Sequence, residues 1–296
     1  MNKNTLILFG ILLVLASIAF VLFQRPGEMS LTETGRNLLV ELDSASVSGI
    51  NIVSPTLSMT LVLKETEWFL EKPVRSRADQ PFVWTFLREA LKLPIQSVIS
   101  TRAEKHSLFQ VDSTGTMVTF FRESGDSISI ILGKYGPSFA DVYARQTGSN
   151  EVVLVNAGIF YTVNRPAKEW RDHTILRLPA DATQEIGFQY GDTTFTLAWK
   201  DSSWMIGKDP VQEASARALI NALSNLRADD FLDTSLPPKA KRIAEVSAAG
   251  ISVRWYQAAA GERYLVQTSS SLQWYQVDQW KAQQVLKRKK DLITVR

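Results

Sequence analysis

The chain has 296 residues, 45% of them hydrophobic and 21% charged, with a formal net charge of +3 and no cysteine. That length and composition suit two folded domains rather than a disordered chain. The near balance of charge argues against a nucleic-acid binder, and the missing cysteines exclude disulfides, thiolate metal sites, a cysteine nucleophile and a lipoprotein anchor.

Residues 5–23, TLILFGILLVLASIAFVLF, carry no charge and match one membrane-spanning helix in length. Lys3 before the run and Arg25 after it give only a weak orientation signal. The competing reading is a cleaved signal peptide, with small residues at Ala16-Ser17-Ile18-Ala19. The uncleaved anchor is preferred, because the run is long for a signal sequence and Phe20-Val21-Leu22-Phe23 would leave an apolar mature terminus. Either reading puts the rest of the chain outside the cytoplasm, on the periplasmic side of the inner membrane. Residues 1–30 are assigned as anchor and flank. Pro26-Gly27 breaks the helix, and 31–45 is assigned as a linker whose Leu38-Leu39-Val40 pairs with the first sheet.

A first repeat is expected over 46–178. Val47–Val53 and Leu57–Lys64 read as strands around a Ser54-Pro55 turn, and Glu67–Glu71 as a third. Asp79 is the expected N-cap of a helix with Pro81 in its first turn. Phe82, Phe86 and Ala90 form one apolar row on it, and Val83, Leu87 and Leu91 the next. Strands follow at Ile95–Thr101, Thr116–Arg122, Ser127–Leu132, Asp141–Gln146 and Glu151–Val155, with Gly133–Pro137 as a longer connection. A short helix covers Ala157–Val163, and Ile175-Leu176 closes the unit after Trp170-Arg171-Asp172-His173.

A second, degenerate repeat is expected over 179–296. Trp204 answers to Trp68 and Ala214 to Ala78 at one common offset, which puts Ser215 where the first helix has its capping Asp. Strands are read at Gln184–Tyr190, Thr193–Lys200, Ser203–Ile206, Asp230–Thr234, Ile251–Gln257, Arg263–Gln267 and Leu272–Val277, one fewer than in the first copy. Leu219, Ile220, Leu223 and Leu226 line the second helix. Gln279–Lys290 reads as a terminal helix, and Leu292–Val295 mirrors Ile175-Leu176. The fold expected is α+β: an N-terminal transmembrane helix, then two tandem repeats, each an antiparallel sheet covered by a helix.

The residues supply no catalytic, cofactor-binding or metal-ligating set. His106 and His173 are the two histidines, so a Ser-His-Asp site would have to use one of them. No G-x-S-x-G or HExxH pattern is present, and Gly133–Pro137 lacks the phosphate-loop spacing. Arg171 and Asp172, with Trp170, are read as a fold-specific salt bridge or a cap or, functionally, as a docking contact for a partner. Lys287, Arg288, Lys289 and Lys290 suit the C-terminus of a helix or an anionic surface. Trp68, Trp84, Trp204 and Trp274 are expected in the core. An exposed cluster among Trp170, Trp255 and Trp280 would bind a sugar or a partner.

The tryptophan strand, the small-Asp helix start, Val142-Tyr143-Ala144-Arg145, Val152-Val153-Leu154-Val155 and Trp170–Leu176 together resemble the domain of unknown function 4340 family, best over about residues 45–235. The resemblance implies one N-terminal anchor, a duplicated extracytoplasmic region, and company with ABC transporters of the gliding-motility type. It brings no catalytic residues and no cofactor. The expected function is therefore a non-enzymatic, membrane-anchored accessory or scaffold with an envelope protein partner such as an ABC transporter subunit. The alternative is an envelope glycan- or lipid-binding module.

Overall fold

The computed structural model describes residues 12, 14, 17, 35–39, 42–178, 184–234, 239–257 and 263–293. The chain divides into two units, Met1–Ala167 and Lys168–Arg296. The division falls ahead of Trp170–Leu176, which the sequence reading attached to the end of the first repeat.

In the first unit, β1 (Val47–Val53), β2 (Ser58–Lys64), β3 (Glu67–Lys72) and β4 (Ser76–Arg77) lead to α1 (Gln80–Leu91) and β5 (Ser97–Ser100). After a single helical turn, α2 (His106–Phe109), come β6 (Thr116–Arg122), β7 (Ser127–Tyr135), β8 (Asp141–Gln146), β9 (Val152–Asn156) and α3 (Gly158–Val163). All the strands join one nine-stranded antiparallel sheet in the order β4-β3-β2-β1-β6-β7-β8-β9-β5. The chain walks outward from the centre, crosses in α1 to the opposite edge, and returns to the centre at β6. Period-two alternation sends Ile50, Ile52, Met59, Leu61, Trp68, Leu70, Val118 and Phe120 into the core. Helix α1 buries Val83, Phe86, Leu87 and Ala90. Phe86 stacks on Phe120 at 6.2 Å, and Trp84 meets Trp68 edge-on at 5.8 Å.

The second unit repeats this path strand for strand. It holds β10 (Glu185–Tyr190), β11 (Thr194–Lys200), β12 (Ser203–Ile206), β13 (Asp209–Val211), α4 (Glu213–Ser224), β14 (Asp230–Leu232), β15 (Lys241–Ala248), β16 (Ile251–Gln257), β17 (Arg263–Thr268) and β18 (Trp274–Asp278). Helices α5 (Gln279–Val285) and α6 (Lys289–Leu292) follow. The sheet order is β13-β12-β11-β10-β15-β16-β17-β18-β14, the same permutation as in the first unit. The lead-in segments match as well. Asn37 bridges Pro94, with the Leu38 amide donating to the Leu93 carbonyl at 2.8 Å. Thr174 bridges Arg227, with the Ile175 amide donating to the Leu226 carbonyl at 3.0 Å.

The α+β expectation with a transmembrane helix is corrected. Strands dominate both units, and the two longest helices delimited among the described residues have 12 residues each. Among the described residues no helix is long and apolar enough to cross a membrane. Of the expected span 5–23, only Leu12, Val14 and Ser17 are described, all helical, and the rest lies outside the described residues. The expected linker is part of the first fold where it is described, with Leu38, Leu39 and Leu42 buried. The second sheet lacks no strand. Strand β15 escapes notice because Lys241, Arg242 and Glu245 break its apolar pattern. Ala244, Val246 and Ala248 are buried and Ile243 packs partly against the core, while Glu245 pairs outward with Arg242 and Arg254.

The repeat register also changes. The Ala78 amide donates to the Trp68 carbonyl at 3.0 Å, whereas Trp204 pairs directly with Val211. Ten positions separate the first pair and seven the second, so Ala78 answers to Val211, not Ala214. The N-cap of α4 is accordingly Gln212, and Ser215 sits inside the first turn. Of Leu292–Val295, read as mirroring Ile175-Leu176, residues 294 and 295 lie outside the described residues, and the described part pairs differently. Ile293 bridges Val211 on edge strand β13, whereas Ile175 pairs behind the helix.

Candidate functional site

Trp170, Arg171 and Asp172 lie in the second unit as internal fasteners. Trp170 is fully buried and Arg171 is 2% exposed. Arg171 Nη1 donates to both carboxylate oxygens of Asp233, at 2.9 and 3.0 Å, and Nη2 to Gln273 Oε1 at 2.5 Å. Its guanidinium lies 3.8 Å from the Phe231 ring centroid, in cation–π geometry. The guanidinium thus ties the lead-in segment to β14 and to the turn before β18. Asp172 accepts from the Thr174 amide at 2.9 Å and from Arg177 at 2.6 Å. Burial alone would raise its pKa, but those bonds and the Arg177 charge together outweigh burial and hold the carboxyl below its usual range. The pair is spent inside the fold and does not face outward as a docking contact.

The histidines are likewise engaged. His173 sets Nδ1 2.9 Å from the Ala228 carbonyl oxygen and Nε2 3.1 Å from that of Lys168, with its ring edge-on to Phe231 at 4.7 Å. His106 Nε2 faces the Asn150 carbonyl at 3.2 Å. The neighbouring Ser107 hydroxyl donates to Asp112 at 2.6 Å, not to a histidine, so the serine, histidine and aspartate here form no relay. The Ser107 hydrogen bond, followed by those from Thr114, holds the Asp112 carboxyl at a pKa of about 2. Among the described residues, no group of three or more His, Asp or Glu could hold a metal ion.

The basic run 287–290 is not a helix C-terminus. Helix α5 stops at Val285, and Lys289 begins α6. Arg288 stacks on Tyr190 at 3.9 Å and pairs with Asp192 at 2.8 Å, and Lys289 pairs with Asp209 at 2.7 Å. Two of the four cations are therefore matched by carboxylates. The Tyr190 hydroxyl donates to the Lys287 carbonyl at 2.6 Å. Burial is the main reason its pKa is pushed up to about 12.

Trp68, Trp204 and Trp274 are buried as expected, and Trp84 is half-buried. Trp170 and Trp255 are also fully buried while Trp280 is exposed, so the three make no surface cluster. A cluster with two exposed aromatic rings lies in the first unit, on Tyr135 of the expected connection Gly133–Pro137 and on Phe139, Phe160 and Tyr161. Tyr135, at the end of β7, contacts Phe139 at 6.1 Å, Phe160 at 5.1 Å and Tyr161 at 5.8 Å. Phe139 is 71% exposed and Tyr161 57%. Phe139 also has φ of +58°, a left-handed conformation that costs a bulky L-residue about 1–2 kcal/mol. Burial first, and then a hydrogen bond with Tyr161, raise the Tyr135 pKa. Ser138 donates to Asp141 at 2.8 Å at the rim. The expected connection Gly133–Pro137 is strand as far as Tyr135, with a bulge between Leu132 and Tyr135.

In the second unit, Gln257 stands opposite Tyr264 where Tyr135 stands opposite Val142. The segment that follows, AAAGE, contains no aromatic residue and lies outside the described residues. The shared topology therefore does not require the aromatic patch.

Neither curated proteins nor solved structures give a match to the chain. The model of one family, the domain of unknown function DUF4340, matches residues 68–250. This match runs from the tryptophan of β3 through the second copy of the same strand and helix to the turn after β15, and the chain belongs to the DUF4340 family.

Proposed function

We propose that the chain is a non-enzymatic accessory or scaffold protein of a cell-envelope assembly, of the ABC transporter type to which the family resemblance points. The observation that supports this is how the chemically able side chains are used. Arg171 clamps Asp233 and Gln273, both histidines engage backbone carbonyls, and Lys289 pairs with Asp209. These groups join one element to another, as a protein that works by its surfaces requires. The test is in-cell crosslinking of the full chain, detergent extraction and mass spectrometry. Recovery of ABC-type permease or substrate-binding subunits is expected, and recovery of the crosslinked chain alone overturns the proposal. A second reading, a glycan-binding module, is favoured by one observation, the aromatic patch at Tyr135, Phe139, Phe160 and Tyr161.

A further inference from the structure

We infer that the aromatic patch of the first unit is a stacking platform for the pyranose rings of a neutral glycan. The inference rests on the glycan-binding reading and gives it a place and a ligand class. Three observations carry it. The first is exposure. Phe139 closes the turn after β7 in a left-handed conformation, its amide donating to the Gly136 carbonyl at 3.2 Å, and its ring lies against Tyr135 while staying 71% exposed. The second is the contrast between units. The same corner of the second sheet has Gln257 in place of Tyr135, with Tyr264 opposite it where the first has Val142, so the Tyr135 ring is not a requirement of the shared topology.

The third is chemistry. A pyranose offers C–H groups on its faces and hydroxyls around its rim. The patch offers ring faces from Phe139 and Tyr161, and around them the Tyr hydroxyls, Ser138 and the Asp141 carboxylate, a strong acceptor for sugar hydroxyls. Other occupants fit less well. Strands β7 and β8 are both internal to the sheet, so an extended peptide finds no free edge to pair with. Anionic headgroups seek cations, whereas the charged partner of Ser138 beside these rings is the Asp141 carboxylate.

The test is calorimetric titration of the full chain with cellotetraose and with N-acetylchitotetraose, with decaproline and phosphatidylglycerol vesicles in parallel. Saturable binding of at least one oligosaccharide is expected, weakened at least about tenfold by Phe139→Gly and by Tyr161→Ala. Glycine adopts positive φ freely, so Phe139→Gly removes the ring while keeping the backbone, and its far-ultraviolet circular dichroism and unfolding midpoint should match the parent. Trp280→Ala, which alters an exposed aromatic of the second unit, should leave binding unchanged. Binding of neither oligosaccharide overturns both the inference and the glycan-binding reading. Oligosaccharide binding that survives Phe139→Gly and Tyr161→Ala overturns the platform alone. Decaproline or vesicle binding that these variants abolish, with no sugar binding, assigns the patch to another ligand and overturns the inference.

Discussion

The two units follow one strand permutation yet solve the join between edge strand and helix differently. In the first unit, Asp79 caps α1 by accepting from the Phe82 amide at 3.2 Å. Beside it, the Gln80 side chain is spliced into the ladder. Its Oε1 accepts from the Trp68 amide at 2.7 Å, and its Nε2 donates to the Trp68 and Ala78 carbonyls at 2.8 Å each. In the second unit the hairpin is shorter, Trp204 pairs with Val211 directly, and Gln212 makes no side-chain cap. The topology therefore does not depend on the polar splice. What both joins share is a tryptophan under the helix and a helix buried along one face, and those apolar contacts hold the fold.

The largest effect should come from the tryptophans. Trp68 is fully buried and Trp204 is 8% exposed. Trp68→Ala should destabilise the first unit by about 3–5 kcal/mol, and Trp204→Ala the second unit by less. Denaturant unfolding, with hydrogen exchange assigned to peptides of each unit, reads the two costs separately. Equal costs would mean that the first unit's extra polar contacts, not its deeper tryptophan, set its strength.

A smaller effect separates the units at alkaline pH. Tyr190 has a folded pKa of about 12, above the ordinary phenol value of 10. Its contribution is whole below pH 10 and lost as pH rises toward 12, because the unfolded chain releases the proton first. The second unit should lose about 2 kcal/mol across that window, and Tyr190→Phe should flatten the loss. Unfolding midpoints of parent and variant, measured from pH 9 to 12, check it. A parent whose stability does not fall faster than that of the variant would contradict the burial argument.

The smallest effect is at the caps. Asp79→Ala should cost α1 about 1 kcal/mol, and Gln212→Asp should stabilise α4 by about 0.5–1 kcal/mol by supplying the acceptor that the first unit already has. Exchange protection of the first helical turn in each unit is the readout. If Gln212→Asp gives no gain, the direct Trp204–Val211 ladder already fixes that turn.

Much of this architecture is legible in the sequence where the alternation is clean. Val47–Val53, Thr116–Arg122 and Asp141–Gln146 are strands with the bounds the pattern predicts, and Asp79 caps its helix as predicted. The pairing of Trp68 with Trp204 is legible too, because each indole marks the same strand. The reading fails where spacing carries the inference without chemistry. A common offset aligned Ala78 with Ala214 because it assumed hairpins of equal length. Helix α5 ends early because Leu286 leaves the helical region, with φ of −78° and ψ of 66°. The aromatic patch was hidden for a different reason. Its rings come from a strand end, a loop and a short helix, and only the fold brings them together. One signal was available: Ile159 and Val163 lie one helical turn apart and are buried, which leaves Tyr161 between them facing out.

The permutation of the strands also bears on how each unit is assembled in time. Each sheet has one central seam where strands distant in the chain meet, β1 against β6 and β10 against β15. Across the first seam Ile50 meets Phe120, and across the second Phe188 meets Val246, separations of 70 and 58 residues. Apart from the edge pairings of β5 with β9 and β14 with β18, which span 57 residues from Ser97 to Leu154 and 46 from Asp230 to Gln276, the remaining pairings are hairpins between neighbours in the chain, so the seams are the longest-range pairings and weigh most on the folding rate of each unit. The entropy difference between closing loops of those two lengths is only about 0.2 kcal/mol. Chain length alone therefore makes the two halves zip at nearly the same speed, and a large disparity between their folding phases would have to come from the side chains at the seam.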